Sequence, residues 1–210
     1  LDLLTPIAKS FPAEWGFEAN TLSVQVHGGY GYTSEYLPEA WWRDQKLNSI
    51  HEGTTGIHGL DLLGRKVMMK GGQPLMLLGE AIAESVAAAH EAGVEGAWCD
   101  ALQAAVATVG ELTAHLGGLG MAGDPEGMLL HSADYLSLLS IVVVAWQWVD
   151  MAAAAKRGLA RGEDTERAFY EGKLYAAQYW IATELPKTTV LAELCRTGED
   201  SYARIDASSF

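Results

Sequence analysis

Two short stretches hold residues whose types and spacing suit chemistry. One is Gln25-Val26-His27-Gly28-Gly29-Tyr30-Gly31-Tyr32; the other is Ile50-His51-Glu52-Gly53-Thr54. Closely spaced glycines remove Cβ atoms and let backbone approach a ligand, and Gln25, one turn earlier, offers an amide that both donates and accepts. The same glycines also suit a plain helix stop. Glu52 stands between Ile50 and Ile57 in a stretch with few other charges. A carboxylate in an apolar cleft has its ionised form destabilised, which suits a general base near neutral pH. An exposed loop is the commoner fate of a glutamate. Glu52 also precedes an expected helix start with Thr54 or Thr55 as its cap, and helix N-termini hold anions and phosphates.

The remaining polar residues suggest less. Arg43-Asp44 is expected to form a structural ion pair holding the two loops together. Six histidines are scattered with no Cys or carboxylate at ligand spacing, so no metal site is expected. No serine has a G-x-S-x-G setting. The glycine run is not a dinucleotide fingerprint, because that motif follows a strand and here a helix precedes it.

The elements that must position these residues read as helices throughout. Residues 1–9 look like the tail of a helix, and 17–26 form another with Ala19, Leu22 and Val26 on one face. Helices follow at about 36–50 and 57–69, with the Glu52 loop between them. Lys70-Gly71-Gly72-Gln73-Pro74 reads as a linker, dividing the chain into units 1–72 and 73–210. Beyond it, apolar periodicity predicts helices over 75–92 and 97–116. Asp124 as N-cap and Pro125 at the first position start a helix that would run to about Arg161. Asp164 would cap a last helix, bent or interrupted by Pro186. Trp146 with Trp148 and Tyr175 with Tyr179 suit a core or an interface. No run alternates like a strand, so the fold class is all-α.

Composition bounds the function. The 210 residues carry a formal charge of −13, of which residues 1–70 contribute −2 and residues 71–210 contribute −11. Such acidity disfavours nucleic acid and anionic lipid surfaces. Leu136 to Ala155 is long enough to span a bilayer, but Gln147 and Asp150 interrupt it, so a buried bundle helix is expected and no membrane span. Cys99 and Cys195 suit reduced core positions in a cytoplasmic protein. The first residue is Leu1 and no signal peptide is visible, so the chain is expected to be a piece of something longer.

The two motifs, in this order and with Arg43-Asp44 between them, resemble the C-terminal signature of the acyl-CoA dehydrogenase family over roughly residues 1–70. Residues 71–210 resemble the extra helical domain of longer members, a subgroup that includes the 3-methylmercaptopropionyl-CoA dehydrogenases. The resemblance implies the later helices of the family's four-helix bundle, followed by a second helical bundle domain. It implies an FAD-dependent oxidation of an acyl-CoA thioester to a 2-enoyl-CoA, with an electron-transfer flavoprotein as electron acceptor. By motif match Glu52 is the base for the α proton. Gln25, Gly28 and Gly29 match positions that contact FAD, usually across a subunit interface, and Thr54 matches a flavin-contacting position. The family's glutamine two residues after that threonine is Gly56 here. The family's N-terminal helical domain and β-domain are not among these residues, so the chain alone is expected to be incomplete and inactive. The alternative is a non-catalytic helical dimerisation or binding module from a truncated or split gene. On either reading half a bundle exposes an apolar face for a partner chain, so a homodimer or larger homo-oligomer is expected.

Overall fold

The computed structural model describes residues 1–162 and 166–209, and among them there are helices and turns but no strand. The helices are α1 (Thr5–His27), α2 (Leu37–Leu47), α3 (Thr55–Asp61), α4 (Gln73–Glu91), α5 (Gly96–Met121), α6 (Pro125–Leu129), α7 (Ser132–Ala160), α8 (Arg167–Tyr179), α9 (Lys187–Thr197) and α10 (Ser201–Arg204). The expected Asp164 cap lies outside the described residues.

The 29-residue α7 organises the rest. It is apolar on most of its circumference, so it needs neighbours all round. Helices α1, α3, α4, α5, α8 and α9 all pack on it. Tyr135, Leu136, Leu138, Leu139, Val142 and Val149 are fully buried there. It is long and apolar enough to cross a membrane, yet 61% of its most apolar window is buried within this chain.

Three helix boundaries differ from the sequence expectation. The stretches 1–9 and 17–26 join into α1, which runs through Pro12 and Gly16. Proline removes one ladder bond. Packing keeps the helix going: the Phe11 and Trp15 rings lie 5.8 and 5.0 Å from Trp180. The expected helix from Pro125 to Arg161 breaks after Leu129. Asp124 does cap the start, accepting from the Gly127 amide at 2.8 Å. At the break, however, the Leu130 carbonyl accepts from the Tyr202 hydroxyl at 2.6 Å. The His131 ring also bridges Asp134 Oδ2 at 3.1 Å and the Glu199 carbonyl at 2.9 Å. The C-terminal segment therefore takes over groups that a continuous helix would use. Finally, α3 ends early and passes into a single wide turn, Leu62–Lys66. Pro186 interrupts the last helix as expected, between a wide turn at Trp180–Glu184 and α9.

The chain reverses at Lys70-Gly71-Gly72, all in left-handed conformation (φ 49°, 67° and 87°). This is where the charge shifts. The apolar core is nonetheless continuous across the turn, running from Leu3 and Ile7 through Leu62 and Leu63 to α4, α5 and α7. Lys66 is 5% exposed, and its ammonium donates to the Asp2 carbonyl at 2.7 Å. Asp61 lies 3.7 Å from that ammonium, and the Arg65 guanidinium at 2.6 Å holds its carboxyl below the usual carboxylate range.

Helix α3 reaches α7 through Gly59, where a Cβ would sit 2.6 Å from the Ser132 carbonyl oxygen. Because the obstacle is backbone, the clash cannot be relieved by a side-chain rotation. Gly59→Ala should therefore destabilise the chain by about 1–3 kcal/mol, read as a lowered urea midpoint.

Cys99 and Cys195 are free and buried, as their composition suggested. Burial pushes the Cys195 thiol up to about 12, with Asp134 adding to the shift, and it raises Cys99 as well. A raised thiol pKa lowers the reactive thiolate fraction at any pH below it. At pH 8 a disulfide reagent should label almost no thiol in the native chain and both after denaturation. Fast native labelling would contradict this burial.

Candidate functional site

The Glu52 turn, residues 48–54, joins α2 to α3. Glu52 itself is left-handed (φ 56°), a conformation unusual for a non-glycine residue, and Gly53 follows at φ 96°. The turn has few internal backbone bonds of its own, so its carbonyls need partners from elsewhere. Side chains supply them. Lys9 of α1 donates to the Asn48 and Gly53 carbonyls, both at 2.7 Å. The His58 ring Nε2 lies 3.2 Å from the Glu52 carbonyl, and the His51 ring Nδ1 lies 2.8 Å from the Leu47 carbonyl. Thr55 donates its hydroxyl to the Glu14 carboxylate of α1. Gly53 is favoured by its φ, and a Cβ there would lie 2.9 Å from His58 Nε2, so the His58 ring would have to move.

The backbone of the turn is thus fastened at several points, while the Glu52 side chain is exposed and makes no hydrogen bond or ion pair among the described residues. Ile50 and Ile57, both 57% exposed, stand on either side of it in sequence. The apolar cleft that would surround Glu52 is therefore not closed by this chain. Thr54 occupies the α3 N-cap position without a side-chain capping bond, and its hydroxyl has no partner among the described residues.

The glycine turn is built differently. Helix α1 ends at His27, and Gly28 takes φ 60°, ψ −142°, which glycine adopts without strain. Gly31 is buried, and a Cβ there would come 2.5 Å from the Val24 carbonyl oxygen. Gly28 and Gly29 have nothing within 4 Å of where a Cβ would be, so their backbone faces open space. Gln25 is exposed, and its amide has no partner among the described residues.

The structure places Thr54 beside Glu52 but does not bring Gln25, Gly28 and Gly29 to the same place. Lys9, which holds the Glu52 turn, is separated from Gln25 by sixteen residues of α1, about 24 Å at 1.5 Å per residue. Arg43 and Asp44 do not pair with each other: Arg43 bonds Glu39 at 3.0 Å within α2. Successive helical residues do not face one another, whereas i and i+4 do. What holds α2 to α1 is Gln45, whose amide reaches the Pro12 and Ala13 carbonyls at 3.3 and 3.2 Å over Gly16. Trp42 adds a bond to the Thr21 hydroxyl at 3.0 Å.

Sequence reasoning missed Lys9, Glu14 and His58. Nothing local marks them, because their partners are distant or are carbonyls. Around these motifs Leu22, Val26, Tyr30, Tyr32, Trp41 and Leu47 are all more than half exposed, forming a broad apolar and aromatic surface. A larger cavity lies elsewhere. It holds about 570 Å³ between α4 and α5 against α7, and the hydroxyl of its lone threonine, Thr113, is already bonded to Tyr135. Ser10 Oγ, buried and unpartnered, borders a cavity of about 70 Å³ beside Glu14 and Thr55, which has room for ordered water.

An all-α chain that presents a glutamate on a fastened turn and an open glycine turn at the far end of one helix is the class that fold and site define. Known proteins agree. Residues 2–68 match the acyl-CoA dehydrogenase C-terminal domain. Residues 78–206 match the acetyl-CoA dehydrogenase C-terminal-like domain. The chain is 29% identical over 215 residues to the broad-specificity linear acyl-CoA dehydrogenase FadE5 of Mycobacterium tuberculosis, covering 100% of this chain and 35% of that protein. It is 34% identical over 178 residues to the 3-methylmercaptopropionyl-CoA dehydrogenase of Ruegeria pomeroyi, covering 84% and 30%. It is 27% identical over 186 residues to a butyryl-CoA dehydrogenase of Syntrophomonas wolfei, covering 86% and 30%. The chain belongs to the acyl-CoA dehydrogenase family. It spans about a third of the length of these relatives.

Proposed function

We propose that the chain is the C-terminal part of an FAD-dependent acyl-CoA dehydrogenase. Residues 1–72 contribute the catalytic and flavin-contacting loops, and residues 73–210 form the extra helical domain. The observation that carries this reading is Glu52: it has an unengaged carboxylate on a backbone held by Lys9 and His58, within the segment matching the family's C-terminal domain.

Glu52 takes the α proton of an acyl-CoA thioester, and loss of the β hydrogen as hydride leaves a 2-enoyl-CoA. A thioester α proton is only weakly acidic, so its removal needs a base held at a fixed angle. The fastened turn supplies that. Ile50 and Ile57 flank the carboxylate in sequence, and a covering surface from the rest of an assembled enzyme completes a dry cleft around it. FAD, when bound, supplies the acceptor for the β hydride, and an electron-transfer flavoprotein takes the electrons onward.

The residues present suit a flavin cofactor. Gly28 and Gly29 leave space where Cβ atoms would stand, and Gln25 and Thr54 have unengaged polar groups. We assign Gln25, Gly28 and Gly29 to one cofactor and Thr54 to another. The length of α1 between them favours two sites shared by two protomers over one site within a chain. The exposed apolar residues of α1 and α2 support such a homo-oligomer. With both cysteines free and buried, the proposed setting is the cytoplasm.

The same exposed surface would also serve a non-catalytic dimerisation or binding module. Adding FAD to the purified chain and recording absorbance near about 450 nm separates the two. Flavin retained through gel filtration supports the enzyme reading, whereas a chain that takes up none is not an enzyme by itself. In an assembled enzyme carrying this chain, Glu52→Gln should abolish nearly all turnover and keep FAD. Surviving activity would remove Glu52 from the role of base.

A further inference from the structure

The Glu52 turn is attached to α1 as well as to the helices it joins, and the principal link to α1 is a lysine. The Lys9 ammonium donates at 2.7 Å to each of two carbonyls, 39 and 44 residues away. No carboxylate lies within ion-pair distance of it among the described residues. Its charge is therefore spent on backbone oxygens and not on a counter-ion.

The two carbonyls bracket Glu52. Asn48 is the C-cap of α2, and a helix C-terminus leaves carbonyls unsatisfied and carries partial negative charge. A lysine ammonium answers both needs. Gly53 directly follows Glu52, and its φ of 96° continues the left-handed path begun at Glu52. Bonds to an ionised donor are stronger than neutral ones. With one group bonded on both sides of the turn, neither end can rotate without losing a charge-assisted bond. Glu14, five residues on along α1, adds a second attachment through Thr55. The span 48–55 is thus tied to α1 at two residues.

We propose that Lys9 is a positioning residue for Glu52. It holds the turn in the left-handed conformation that aims the carboxylate, without touching substrate or cofactor. This rests on the reading of Glu52 as the base, but the holding itself is measurable without turnover.

The test uses the 210-residue chain and three forms of position 9. In Lys9→Met, amides of residues 48–55 should exchange with solvent about tenfold faster, while those of α7 stay protected. Lys9→Cys should behave like the methionine variant. Alkylating that cysteine with 2-bromoethylamine rebuilds an ammonium at nearly the length of lysine, and it should restore slow exchange; the two native thiols are buried and spared. Exchange that changes no more at 48–55 than elsewhere, or that the rebuilt ammonium does not restore, overturns the proposal. In an assembled active enzyme Lys9→Met should lower kcat at least tenfold with KM little changed. If Glu52→Gln abolishes turnover and Lys9→Met leaves kcat intact, Lys9 does not position the base. If Glu52→Gln leaves turnover intact, it is the reading of Glu52 that fails, and the exchange result still decides whether Lys9 holds the turn.

Discussion

The need to bury α7 governs this molecule. Each large side chain taken fully out of water contributes about 1.5–3 kcal/mol, and α7 carries six of them, Tyr135, Leu136, Leu138, Leu139, Val142 and Val149, with smaller buried residues around most of its circumference. A helix like this cannot lie on a surface; it must be surrounded. The helices on both sides of the Lys70–Gly72 turn therefore share it, and one core runs through both. The proposed catalytic turn inherits its place from that arrangement. Helix α3 is set against the start of α7 at Gly59, where only a missing Cβ permits the approach, and Glu52 sits a few residues upstream. Helix α1, packed on α7 through the Phe11, Trp15 and Trp180 rings, then reaches the turn from the other side with Lys9 and Glu14.

How much of this was legible in the sequence depends on the distance over which each feature is decided. The Asp124 cap and the Pro186 interruption are settled within one helical turn, and both stand where local chemistry puts them. The motif glycines are legible for the same reason: Gly28 and Gly53 need positive φ, which is a property of the residue itself. What could not be read was decided from far away. The helix expected from Pro125 breaks because Tyr202, 72 residues on, takes the Leu130 carbonyl. The break expected within α1 does not occur because Trp180 packs on Phe11 and Trp15. Lys9 looks like any surface lysine until the fold sets two carbonyls beside it. Arg43-Asp44 is the converse case: the two adjoin in sequence, but neighbours on a helix point in different directions, and Arg43 pairs with Glu39.

The length of α1 also bears on assembly. One helix carries the fastening for Glu52 near one end and the open glycine turn at the other. Two groups so far apart along it do not converge on one reacting centre. They can each meet a different centre if copies of the chain are arranged around a symmetry axis, so that one protomer's glycine turn lies near another's glutamate. The exposed aromatic and aliphatic residues lie along the second half of α1 and on α2, the part that such an arrangement would cover.

Charge fits the same division of labour. An acyl-CoA thioester and FAD both carry phosphates, and a chain with formal charge −13 would at first sight repel them. The repulsion depends on where the charge lies, because in physiological salt exposed charges are largely screened beyond roughly 8–10 Å. Residues 1–70 carry only −2 of the total, and nearly all of the excess stands beyond the Lys70–Gly72 turn. Within the first seventy residues, acidic groups are also neutralised locally: Glu39 by Arg43, and Asp61 by Arg65 and Lys66. Glu52, like Glu18, Glu35 and Asp44, has no ion pair among the described residues. This suits a base that must stay free to take a proton while anionic ligands approach.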